Sequence, residues 1–275
     1  MIRSAANAWR ALLLAALCLA ALSGCAPKPT ATGAGEGPQP QALWAQLMAG
    51  GAQAKSFTLT ASLSLQSSKK SARLLARFWG NLDRPLRLDL STGMGQVFSM
   101  WREDAQGWLA VYPSANQAFT HTSTKAALSR LGMPFPFGMK ELAAVSVGSF
   151  GLILPPNYSS VKKIPNGFVY SFPASSPVAA LTLDFEGKPI HLTGRGVEPW
   201  NVELADFAPS QAGRPPMAQL ITLTTPGGVQ AVLRVKKLEL SAEPMPLQSL
   251  ELTPPPQARH IPLDREGDFQ TPDIP

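Results

Sequence analysis

The chain has 275 residues, with 24 Lys and Arg against 18 Asp and Glu and a formal net charge of +6. That length supports one sizeable domain or two small ones. The basic excess is modest and spread along the chain, so it argues against a nucleic-acid partner, which needs a clustered basic face, and allows only mild attraction to an anionic membrane surface.

Arg3 and Arg10 precede an apolar run from Ala11 to Leu22. Basic residues followed by a short apolar stretch have the plan of a secretory signal, too short to span comfortably as a mature helix. The run ends in Leu22-Ser23-Gly24-Cys25, which resembles the lipobox of bacterial lipoproteins. The resemblance implies removal of residues 1–24, diacylation of the Cys25 sulfur and acylation of the new amino terminus, palmitate included. Ala26 follows, and by resemblance to the enteric sorting rule a residue other than aspartate there favours the outer membrane, facing the periplasm. Without Arg3 and Arg10 the chain keeps 22 basic against 18 acidic residues, a net of +4. Cys18 lies inside the leader, so the mature chain has no cysteine pair for a disulfide or a metal.

Residues 25–41 form a tether rich in Pro, Gly, Ala and Thr, unable to bury apolar area. A helix is expected over Ala42–Ala54, where Leu43, Trp44, Leu47 and Met48 share a face, and Gly50-Gly51 weakens or ends it. Phe57, Leu59, Ala61, Leu63 and Leu65 then alternate with polar residues, the period of a half-buried strand. Further strands are expected over 72–82, 85–91, 96–103, 108–112 and 117–121, joined by short turns. Such turns argue for an antiparallel meander. Thr124–Leu131 and Met139–Val147 read as two helices, separated by a segment in which Pro134 and Pro136 forbid one continuous helix. Strand patterning resumes over 167–172, 178–185, 189–193, 201–207, 218–224 and 229–240. Residues 253–275 are Pro-rich and read as a disordered tail.

These elements predict a mainly β fold with helices (α+β). It is an open antiparallel half-barrel of about ten or eleven strands over residues 42–252, covered by a short helical lid. Apolar layers that need not touch leave room between them for acyl chains. Phe57, Leu59, Leu63, Phe78, Leu88, Trp101, Trp108 and Leu142 are the residues expected to line that cavity. Gly93-Met94-Gly95 marks a hairpin tip, where glycines supply the turn and methionine faces water. A soft, unbranched side chain there suits contact with lipid.

Catalysis finds little support. His121, His191 and His260 are scattered, there is no Gly-x-Ser-x-Gly elbow, and the two Ser-x-x-Lys matches, at Ser67 and Ser160, fall in polar turns without companion motifs. No enzyme activity, metal or cofactor is expected.

Three segments carry a family resemblance. Ala76-Arg77-Phe78 sits on an early strand. Arg87-Leu88-Asp89-Leu90-Ser91-Thr92-Gly93-Met94-Gly95 is a strand followed by a protruding loop. Leu131-Gly132-Met133-Pro134-Phe135-Pro136, with Leu142 and Gly148 downstream, precedes a lid helix. Together they resemble the LolB-type outer-membrane lipoprotein receptors and, more loosely, the LolA-type periplasmic carriers. The resemblance covers residues 42–150. Met94 stands where that family has leucine, and Gly93 where proline is more usual. The resemblance implies a monomer without catalytic residues. It would take acylated lipoproteins from a LolA-like periplasmic carrier into an acyl-binding cavity and pass them into outer-membrane lipid. The alternative is a structural or interaction lipoprotein of the envelope that uses the same fold with a filled core.

Overall fold

The computed structural model describes residues 39–50, 54–67, 71–133, 135–196, 199–208, 217–265, 267 and 269. The leader, Cys25 and most of the tether therefore lie outside the described residues.

Helix α1 (Pro40–Ala49) begins two residues earlier than its apolar face suggests, with proline in its first turn, where the missing amide costs no hydrogen bond. It buries Leu43, Trp44 and Leu47 and stops at Gly50. The first meander follows: β1 (Ser56–Gln66), β2 (Ser71–Asn81), β3 (Leu86–Ser91), β4 (Val97–Glu103), β5 (Trp108–Tyr112) and β6 (Gln117–His121). Phe57, Leu59 and Ala61 of β1 are buried, while Thr60 between them is exposed. Helices α2 (Thr124–Arg130) and α3 (Met139–Ser146) connect this meander to a second one. The second comprises β7 (Ser160–Ile164), β8 (Gly167–Ser171), β9 (Val178–Asp184), β10 (Pro189–Gly194), β11 (Trp200–Phe207), β12 (Ala218–Thr224) and β13 (Gln230–Ser241). The two meanders join where β1 pairs antiparallel with β13, so one continuous sheet runs from β7 through β13 and β1 to β6.

A final strand, β14 (Arg259–Pro262), pairs parallel with β6 and completes a 14-stranded, unclosed sheet. The expected count of ten or eleven is thus too low, and of the fourteen strands all but two fall on stretches that the sequence pattern marks. One strand hidden from the pattern is β7, at the sheet edge, where both faces meet water and Lys162 and Lys163 are exposed. The other is β14, inside the stretch expected to be a disordered tail. Residues 242–265 instead form a strap across the outer face of the first meander. Ser56 Oγ donates to Glu243 O (2.6 Å), Met245 N to Asn81 Oδ1 (2.7 Å), and Trp79 Nε1 to Ser249 O (3.2 Å). Arg87 donates to Glu251 O and stacks over Trp79. Leu250 and Leu263 are fully buried, and Ala258 packs with Val111 and Ala118 into a small outer core. Pro262 is tolerated because it sits on an edge strand.

Candidate functional site: an apolar cavity beneath a latched lid

Alternation puts Leu59 and Leu63 of β1, Ala76 and Phe78 of β2, Leu88 and Leu90 of β3 and Trp101 of β4 on the inward face of the first meander. Val202, Ile221, Leu223, Ala231 and Leu233 face them from the second meander, and Leu128, Phe135, Phe137, Met139, Leu142 and Val145 descend from the lid segment. Between these layers lies a cavity of about 110 Å³ with an almost wholly apolar wall. Ligand pockets commonly hold ~300–1,000 Å³, so with the lid segment in this position the hollow is smaller than most ligand sites. A surface recess of about 590 Å³ lies elsewhere, but Lys55, Asp83 and Lys140 interrupt its lining.

Six of the eight residues expected to line the cavity do so: Leu59, Leu63, Phe78, Leu88, Trp101 and Leu142. Phe57 and Trp108 do not. They are buried on the same sheet face beside the lining residues, Phe57 edge-on to Phe78 at 4.9 Å and Trp108 edge-on to Trp101 at 5.6 Å between ring centres. Sequence reasoning missed the second-meander wall, although the alternation of Ile221 and Leu223 was visible.

It also missed what holds the lid. Glu103, the last residue of β4, is only 4% exposed. Its Oε2 accepts from the Thr124 hydroxyl, at the start of α2, and from Met139 N (3.0 Å), at the start of α3. Its Oε1 accepts from Arg84 Nε at 2.9 Å. One carboxylate thus satisfies free donors at the start of both lid helices, where negative charge is favoured. Ser123 Oγ accepts from Ala126 N, and Glu141 Oε2 accepts from Gly138 N at 3.0 Å, completing the two starts. The far side of the lid rests on the second meander, where Phe137 packs edge-on to Trp200 at 4.7 Å. Trp200 lies flat over its cross-strand partner Gly194, and a Cβ there would fall 1.7 Å from the indole. Arg130 of α2 donates to Arg265 O of the strap at 2.6 Å.

The β3–β4 hairpin that supplies Leu88, Leu90 and Trp101 ends in Gly93-Met94-Gly95. The turn closes through Gly95 N donating to Thr92 O at 2.9 Å, with Gly95 at φ +85°. Met94 is 93% exposed, and a Cβ on Gly93 or Gly95 would meet nothing within 4 Å among the described residues. Two buried phenols are held protonated. Burial pushes the Tyr112 hydroxyl well above the usual range, opposed by the neighbouring Trp101 indole. Burial and the nearby Tyr158 push Tyr170 up to about 12. Tyr170 OH donates to Pro40 O at 2.7 Å and so ties α1 to β8. Among the described residues no group of three or more His, Cys, Asp or Glu side chains is placed to hold a metal ion.

No protein-family profile matches the chain, and no curated protein sequence does. Solved structures do. A LolA superfamily protein from Nitrosomonas europaea superposes with a TM-score of 0.51 at 10% identity, over 77% of this chain and 97% of that one. A DUF1329 family protein from Desulfovibrio piger superposes with a TM-score of 0.53 at 8% identity, over 76% and 97%. At such identities the likeness is one of fold: this chain shares its fold with the LolA superfamily protein and with the DUF1329 family protein.

Proposed function

We propose that this chain is a membrane-anchored envelope lipoprotein that binds the acyl chains of other lipoproteins and helps to insert them into the outer membrane. Cys25 carries the anchor, a LolA-like periplasmic carrier delivers the cargo, and no bond is made or broken. The observation that carries the reading is the β3–β4 hairpin. Its inward residues wall the apolar cavity, and its tip presents Met94 to solvent. Burying a methionine is worth ~1.5–3 kcal/mol, a gain that the fold forgoes at Met94 and a bilayer can supply. The LolA-type fold supports a binding role over a catalytic one, and the lid supplies the gate that a cavity of this kind requires.

The test is transfer. Met94→Glu should fold normally, since the side chain touches little, and should accept an acylated lipoprotein from its carrier. It should then fail to deliver that lipoprotein to liposomes, whereas Met94→Leu should deliver as the parent does. Delivery by the glutamate variant at the parental rate would refute the insertion role.

The volume of about 110 Å³ favours a second reading. On that reading the chain is a structural or interaction lipoprotein whose core stays filled. Mass spectrometry of organic extracts of the purified protein separates the two, because a receptor retains acyl lipid and a filled scaffold does not.

A further inference from the structure

Buried polar groups are normally hydrogen-bonded, and each exception calls for a partner. Four exceptions collect on one face of the β4–β5 hairpin. Ser99 Oγ, Trp101 Nε1, Trp108 Nε1 and Tyr112 OH are buried and none makes a hydrogen bond of good geometry among the described residues, although the Trp101 indole lies beside the Tyr112 hydroxyl. The register explains why they gather. Trp101 pairs with Ala110, and Glu103 with Trp108. Two-residue alternation then sets Ser99 beside Trp101, and sets Trp108 and Tyr112 on either side of Ala110. Ala110, fully buried, stands at the centre as the smallest side chain of this face. A register shift near Leu90 and Ser91 places Phe98 in the same core as Trp101. Phe98 and Phe119 then hold the Tyr112 ring edge-on from two sides, at 5.4 and 5.5 Å. Trp101 belongs at once to this group and to the cavity wall.

The chemistry of the four groups is weighted toward donors. The two indole N–H groups can only donate, and each hydroxyl brings a further donor. A bare hydrocarbon chain offers these groups nothing, whereas an ester carbonyl oxygen offers two lone pairs. We propose that the β4–β5 face is a polar niche that recognises the ester carbonyl of an acyl ester whose chain occupies the apolar cavity. The inference rests on the reading of that cavity as an acyl site and names its substrate class: acyl esters of glycerol, in preference to alkyl ethers or free hydrocarbon. Trp101 joins the two parts, its ring against the chain and its N–H toward the carbonyl.

A matched pair of ligands tests this. The probes are 1-monodecanoylglycerol and 1-O-decylglycerol, which differ in the carbonyl alone. Each is titrated against 1-aminoanthracene bound to the full chain carrying Cys25→Ser. The ester should displace the dye at a concentration at least tenfold lower than the ether. In the double variant Ser99→Ala/Tyr112→Phe the ratio of the two should fall toward one. Should that variant misfold, infrared spectra of the ¹³C-carbonyl ester bound to the parent serve instead: the carbonyl band should lie below its position in hydrocarbon solvent. Equal displacement by ester and ether in the parent would overturn the niche, which would then hold water only, and would leave the cavity reading standing. An undiminished ester preference in the double variant, or an unshifted band, would likewise overturn it. Displacement by neither ligand would remove the acyl-site reading, and the niche with it.

Discussion

Replacing Glu103 by glutamine should free the lid before it unfolds the sheet. The carboxylate accepts from Thr124 and Met139 on one oxygen and from Arg84 on the other. Glutamine preserves the shape but offers one accepting oxygen. Whichever way it turns, an amide N–H₂ faces a donor. Hydrogen bonds to a charged group contribute ~1.5–3 kcal/mol each. Arg84, more than a third exposed, recovers solvation when it is released. The net loss on the lid side is therefore about 2–3 kcal/mol, which raises the population of the open lid roughly 30- to 150-fold. Amide hydrogen exchange reads this directly, because it resolves local opening from global unfolding. Amides of residues 124–147 should exchange faster by that factor, while those of β1 and β13 keep parental protection. A uniform loss of protection across the sheet would show that Glu103 supports the whole fold and not the lid. Unchanged lid protection in a folded variant would show that the contacts hold nothing.

Gly194→Ala should displace Trp200 and with it Phe137, costing about 3 kcal/mol or more as an overpacked core; thermal melting checks it, and a parental Tm would refute the stacking argument. Tyr170→Phe should destabilise the protein below pH 10 through loss of the bond to Pro40. The folded pKa lies above the unfolded one, so the tyrosine's contribution is full below pH 10 and disappears as pH rises through about 12. Urea midpoints of parent and variant should therefore converge between pH 10 and 12, and a gap that stays constant would contradict this. Cys25→Ser should abolish incorporation of labelled palmitate and move the protein out of the membrane fraction, unless the anchor lies elsewhere.

Local pattern made the strands of the first meander legible. Phe57 to Leu65 alternate because the face of β1 that carries Phe57, Leu59 and Ala61 turns into the core. The lid helices were legible because the Pro134–Pro136 interval forbids a continuous helix. Strand β7 was not, since an edge strand wet on both faces has no alternation to read. Strand β14 was hidden because its pairing with β6 depends on residues more than a hundred positions away, and no local rule encodes that. The cavity was half legible for the same reason. Alternation identifies an inward face but not where along it a hollow lies, so it cannot separate Phe57 and Trp108 from the lining residues that share their face. Glu103 reads as an ordinary solvated strand end until Thr124 and Met139 are brought against it.

The seam between β1 and β13 sets the order in which this molecule can be assembled. Each meander is built from neighbours in sequence and can form early. The seam joins residues 56–66 to residues 230–241 and must wait for nearly the whole chain. The lid segment is the covalent link between the meanders, so it is in place before they meet. The cavity is therefore wrapped around its own lid rather than capped afterwards. Until the seam closes, β1 and β13 are bare edges in the middle of what will become one sheet, and a half-assembled chain offers them to any neighbour in the same state. The strap adds a further delay, because β14 crosses the first meander only after β13 has turned back from the seam. A chain with this topology is most exposed to misassembly in the interval between its two meanders folding and their joining.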